Sequence, residues 1–317
     1  MSSKFCNWRN SLQNLNLTYA KCFLGTQKDA LIQTLNEMVE RGLPCAVVFE
    51  NLISYDFTKL TDTTFQENIW ANLFDTKSKE LLSKCLKNNV VLLCNYGNSS
   101  PELFVREIIK LATELGLSQP QIVIDDQDLM YQQTTYSESL EEWNKLFHQG
   151  NLVFNLELKS GLDISKCLSS GAKIVFTKNF SYSSLMQGAT MAHFDWTELN
   201  QNQLASTSII AYLLNCELQA AHLTSDSEGA STHSDKLSTV EFFDDGSCII
   251  SRPDSEKGSL NAFIVKKLYE IEHPRNFVSQ DIVADLEKLV VEDLGKNQVM
   301  LRGVKGRHFN IPSESSN

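Results

Sequence analysis

Apolar positions along this chain follow two rhythms. Over residues 27–41, Leu31, Leu35, Met38 and Val39 recur at helical spacing, and Gly42 supplies the residue that commonly stops a helix. Elsewhere the apolar residues bunch into short runs: "PCAVVFE" at 44–50, "VVLL" at 90–93 and "QIVID" at 121–125. A fourth unit, "SGAKIVFTKNFSYSSLMQ" at 170–187, reads as helix end, glycine, strand, polar loop and helix. Runs that are apolar throughout, rather than alternating, suit strands buried on both faces of a parallel sheet. The strands at 45–50, 90–93, 121–125 and 173–176 are therefore expected in one parallel sheet. Right-handed crossovers then gather their following loops on one edge, where α/β proteins collect ligands.

The rhythm changes past residue 223. "TSDSEGASTHSDKLS" is polar and reads as a linker or surface loop, over 224–239. Two short apolar runs then flank Asp245-Gly246, a strong hairpin signal. Residues 259–274 read as a helix ended by His273-Pro274, and "VVEDLGKNQVMLRGV" as a second hairpin-like piece. The expected fold class is α/β: a mostly parallel sheet with flanking helices, plus a smaller α+β C-terminal segment containing a β-hairpin. The expected division is an N-terminal tail at 1–20, the α/β core at 21–223, the linker, the α+β segment packed on the core at 240–309, and a C-terminal tail at 310–317.

Composition narrows the partners. With 317 residues, 42% of them hydrophobic, the chain can bury a large core. Its net charge of -11 argues against a nucleic-acid surface or an anionic membrane as the main partner. The first residues lack the apolar core of a secretory signal, and no run approaches the roughly 18 apolar residues of a membrane span. The eight cysteines are scattered singly through apolar stretches, as expected of reduced thiols in a cytoplasmic protein. Neither a Cys-x-x-Cys nor a His-x-x-x-His pair occurs, so no metal site is expected.

Candidate chemistry concentrates after the strands. The loop Asn95-Tyr96-Gly97-Asn98-Ser99-Ser100 runs into Pro101 and Glu102, a sound helix start whose free N–H groups can hold an anion. Taken alone it reads first as plain capping, with a ligand cradle as the alternative. Asp125, Asp126 and Asp128 at the end of the third run are either metal or general-base carboxylates or solvated turn residues. Cys94 and Cys216 read as nucleophiles or, as lone cysteines on apolar stretches, as packing residues, with no histidine near Cys94 in sequence; His193, His222 and His273 are no stronger, and His273 before Pro274 reads as helix-end chemistry. In "SRPDSEKGS", Arg252, Lys257 and the helix start after Gly258 could meet a phosphate or carboxylate, or form an ordinary connection.

The stretch from Asp244 to Arg307 carries Arg252-Pro253, Gly258, Leu268-Tyr269-Glu270-Ile271, Val283-Ala284-Asp285, Gly303 and Gly306 in an order that resembles the acyclic terpene utilisation (AtuA-like) family. "SGAKIVFT" and "ATELGL" resemble it too, and the likeness spans about residues 21–309. It implies a place in the catabolism of acyclic terpenoids or branched acyl-coenzyme A compounds, a small acyl or acyl-coenzyme A ligand, and no named cofactor. Carried onto this chain, the ligand edge comprises Asn95, Gly97, Asn98, Ser99, Asp125, Asp128, Lys178, Gln219 and Arg252. The departures fall on the same edge. The family's asparagine-alanine-glycine-glycine loop is Asn95-Tyr96-Gly97-Asn98 here, its arginine and aspartate after the fourth strand fall on Asn179 and Tyr182, and a glycine has become Glu217. Side chains placed where backbone approached a ligand would keep the fold and disable the ancestral site. The expectation is a divergent, C-terminally shortened copy that binds a small molecule or a partner; the alternative is an active enzyme or accessory protein.

Overall fold

The computed structural model describes residues 13–24, 27–53, 75–96, 101–125, 153–225, 236–253, 258–280 and 282–308. Strands β1 (Leu15–Leu24), β2 (Cys45–Ile53), β3 (Val91–Asn95), β4 (Ile122–Asp125), β5 (Val153–Leu156) and β6 (Ile174–Thr177) pair in the order β1-β2-β3-β6-β4-β5. Every pairing among them is parallel, including those of the four strands expected from the apolar runs.

Two helical layers sandwich this sheet. Helices α1 (Lys28–Glu40), α2 (Thr76–Lys87) and α3 (Pro101–Glu114) cover one face through residues such as Leu35, Leu81 and Ile108. Helices α4 (Gly161–Ser169), α5 (Tyr182–Phe194) and α6 (Gln201–Ser225) cover the other through Ile164, Leu185 and Ile209. Along β3 the side chains alternate between layers, Val91 and Leu93 to one and Leu92 and Cys94 to the other. Both sets are buried, which is why the run is apolar throughout. Each fully buried leucine here contributes about 2 kcal/mol. The faces follow from chirality. The step from β3 to β4 and the step from β5 to β6 cross the sheet in opposite senses, so right-handed crossovers place α3 and α4 on opposite sides.

Beyond β1 the sheet continues antiparallel. Strand β7 (Thr239–Phe242) pairs with β1, β8 (Cys248–Ser251) with β7, β12 (Gln298–Arg302) with β8, and β11 (Val290–Gly295) with β12, making ten strands in all. The hairpin expected at Asp245-Gly246 is present. Phe243 and Ser247 close it, and Gly246 adopts φ +82°, the left-handed geometry of a bulged three-residue loop. The β11–β12 turn is tighter, with Lys296 and Asn297 at φ 51° and 53°. Helix α7 (Leu260–Tyr269), capped by the Ser259 hydroxyl at the Ala262 N–H, ends before His273-Pro274, where it was expected to stop. Strands β13 (Lys305–Arg307), β10 (Val283–Asp285) and β9 (Phe277–Val278) form a separate antiparallel sheet.

Two expectations need correction. Residues 15–20, expected within a tail, form the first strand of the large sheet, between β2 and β7. The segment after 240 does not simply pack on the core. Four of its strands extend the same sheet, and Val240, Ile250 and Leu301 join Leu15 and Val48 in one buried layer.

Candidate functional site

The chain reverses its direction of winding between β3 and β6. The connection leaving β3 passes over one face and that leaving β6 over the other, the switch point at whose carboxyl ends folds of this kind form their ligand crevice. Asn95 and Tyr96 follow the first of these strands, and Lys178, Asn179 and the start of α5 follow the second. The opening loop of the sequence reading thus lies at the position where this fold type binds ligands.

The buried side chains here bond to the protein itself. Asn95 Oδ1 accepts from the Thr177 hydroxyl at 2.5 Å and the Phe180 N–H at 3.0 Å, while its Nδ2 donates to the Phe180 carbonyl at 2.7 Å. The Tyr96 N–H donates to the Thr177 carbonyl at 2.8 Å, and its hydroxyl reaches the Asp125 carbonyl at 2.7 Å. Asp125, fully buried, accepts the Leu158 N–H on one oxygen at 3.0 Å and the Lys178 N–H on the other at 3.2 Å. Two side chains at strand ends therefore fix the loops after β5 and β6. Buried polar groups left without such partners would cost about 1–3 kcal/mol each.

A second feature joins α6 to the loop after β8. Arg252 Nε lies 3.7 Å from Glu217 Oε1, with both side chains almost fully buried. Arg252 also donates from Nη2 to the Gly258 carbonyl at 2.6 Å, and its backbone N–H donates to the Asn297 carbonyl at 3.0 Å. Lys178 is half-buried and Asn179 and Gln219 are exposed. Gly97, Asn98, Ser99, Asp126, Asp128 and Lys257 lie outside the described residues.

Most of the described thiols are buried. Cys94 is buried beside the Asn95 carbonyl. Burial pushes Cys85 up to about 12 and raises Cys167 and Cys248 well above the usual thiol range. Half-buried Cys216 is raised by burial as well, although it accepts a hydrogen bond from the Tyr212 hydroxyl, which favours its thiolate. His193 is buried, with Nε2 2.8 Å from the Gln13 carbonyl and its ring edge-on to Phe194. His273 is exposed, and the side chain of His222 is not among the described ones. Among the described residues no three of His, Cys, Asp and Glu are grouped so as to hold a metal ion, and no helix is long and apolar enough to cross a membrane.

Sequence reasoning missed a cluster at the other end of this edge. Tyr19 of β1 and Tyr182 at the start of α5 lie with ring centroids 5.8 Å apart. The Tyr19 hydroxyl is buried and interacts with the Glu50 carboxylate on the neighbouring strand. Burial first, then the Glu50 carboxylate, push its pKa far above the ordinary phenol value. Tyr182 is raised by burial while its oxygen takes a hydrogen bond from Asn215, and Tyr212 is pushed up to about 12 by burial and its bond to Cys216. The available signal was β1 itself: Leu15, Leu17 and Tyr19 alternate with Asn16 and Thr18, placing Tyr19 on one face.

Comparison with known proteins adds two findings. The model of the acyclic terpene utilisation family protein AtuA matches residues 21–313. No curated protein matches the sequence significantly.

Proposed function

The chain belongs to the acyclic terpene utilisation family, and we propose that it is a degenerate copy, binding a small molecule or a partner near acyl-coenzyme A and acyclic terpenoid catabolism without turning over the family's ligand. The observation that carries this reading is the buried pair of Arg252 and Glu217. In the family pattern that this sequence resembles, the arginine- or lysine-proline loop is present and the position of Glu217 is a glycine. A buried guanidinium facing a glycine is a receptor for a ligand carboxylate or phosphate. Here the chain supplies its own carboxylate to the same cation. Asn95 and Asp125 support the reading in the same way, since their polar atoms tie loops together.

The test is to titrate the unmodified protein and Glu217→Gly with isobutyryl-coenzyme A and with coenzyme A alone, following heat and melting temperature. The unmodified chain is expected to bind neither appreciably. Glu217→Gly is expected to melt lower, because an uncompensated buried charge costs about 3–5 kcal/mol, and to recover on adding the anionic ligand. Turnover or tight binding by the unmodified chain would replace this reading with the enzyme alternative.

A further inference from the structure

The ten-stranded sheet ends on β11, and among the described residues no strand pairs with its outer side. The hydrogen-bonding sense of that edge follows from β12. The Arg252 N–H donates to the Asn297 carbonyl between β8 and β12, so Val299 and Leu301 also turn their backbone groups toward β8. Gln298, Met300 and Arg302 then turn theirs toward β11, where they meet Gly295, Glu292 and Val290. Val291, between Val290 and Glu292, is left with its N–H and C=O directed outward. Val290 and Leu294, 41% and 42% exposed, are two of the five large apolar side chains exposed among the described residues. An open edge that carries exposed apolar residues is a template for a further strand.

We propose that β11 pairs with β11 of a second copy of this chain, antiparallel about a two-fold axis at Val291, so that two ten-stranded sheets become one. Charge selects both the occupant and the register. Residues 288–296 carry Lys288, Glu292, Asp293 and Lys296 and are neutral together, although the whole chain stands at -11. A second copy therefore meets no net repulsion along this edge. An axis at Glu292 would set Glu292 opposite Glu292, and one at Asp293 would set Asp293 opposite Asp293, both destabilising. An axis at Val290 would need the Leu289 N–H, which is already given to the Leu286 carbonyl. One at Leu294 would bring the hairpin turn against the strand. At Val291 no like charges face each other, and the two valines exchange a reciprocal pair of N–H to C=O bonds. Val290 of each copy then lies opposite Glu292 of the other, and the exposed Lys288 comes toward the other copy's acidic pair. The interface is isologous, so it closes at two copies.

The pairing is independent of the degenerate-copy reading, whose test concerns Glu217 and anionic ligands. Sedimentation velocity of the full chain, from about 1 to about 300 μM, reads the association. An interface of this small size is expected to give dimers with a Kd of about 1–100 μM and no larger species. Val291→Pro removes the outward N–H and costs no bond to β12, so it is expected to fold and to weaken association by about tenfold or more. Val291→Lys sets two ammonium groups opposite each other and is expected to do the same, which serves if the proline variant fails to fold. Val290→Lys faces Glu292 of the second copy and is expected to keep or tighten the dimer. The proposal is overturned by a chain that stays monomeric to about 300 μM or that forms open-ended assemblies. A dimer that survives the Val291 substitutions in folded protein, or one that is lost on Val290→Lys, overturns it as well.

Discussion

Asp75 connects two helices through one carboxylate. Its Oδ1 accepts the Ser78 N–H at 2.8 Å and the Ser78 hydroxyl at 2.9 Å, capping α2, and lies 3.0 Å from Lys28 at the first position of α1. Burial alone would raise its pKa, but the Ser78 N–H and the Lys28 ammonium outweigh it and hold the carboxyl below its ordinary value. A folded-state pKa below the unfolded one means the contribution is complete above about pH 4 and is lost as pH falls through the depressed value. Asp75→Ala is therefore expected to cost about 1 kcal/mol in urea melts at pH 7 and progressively less as the pH is lowered below about 4. A cost that does not change with pH would show that the charge is irrelevant to the cap. At this scale the sequence indicated the right places and left their use open. Asn95 and Asp125 were picked out because they follow apolar runs, and they do sit at the carboxyl ends of β3 and β4. That their atoms would be taken up by Phe180, Leu158 and Lys178, distant in sequence, depends on how β6 lies between β3 and β4. Tyr19 went unnoticed because nothing local distinguishes it from a packing tyrosine.

Among the elements, those governed by local rules were legible. The β3 run, the helix from Pro101 and both hairpins rest on neighbouring residues, and each forms where expected. The exceptions have local causes as well. Pro274 clashes with a helical carbonyl four residues before it, so α7 ends at Tyr269 and not at the proline. Strand β1 was obscured because Asn16 and Thr18 look like solvent-facing positions; both are fully buried, and the Thr18 hydroxyl donates to the Ser238 carbonyl at 2.8 Å. How elements dock is less legible, and β13 gives a sharp case. Gly306 donates its N–H to Asn202 Oδ1 at 3.0 Å, and a Cβ there would overlap the Gln201 carbonyl. Gly306→Ala is expected to push β13 off the start of α6 and to cost about 3 kcal/mol or more, read as a lower urea midpoint. A variant within about 0.5 kcal/mol of the parent would mean that β13 docks loosely enough to yield.

Across the whole molecule, β1 joins the parallel and antiparallel parts through backbone hydrogen bonds, and one apolar layer spans both. A division at residue 240 would cut that layer, so calorimetry is expected to show one cooperative transition, with amides of β2 and β12 exchanging at the same limiting free energy. Two resolved transitions would establish separate folding units. Strand order was the least legible level, since which strand lies beside which is set by contacts far apart in the chain. The same order has a temporal side. A ribosome releases β1 first, yet one of its edges stays open until β7, more than two hundred residues later, has been made. Strand β3 likewise waits for β6, which must enter beside it after β4 and β5 have emerged. During translation both of these edges are therefore open together from the emergence of β3 until that of β6, a window in which unpaired strand edges are exposed to wrong partners.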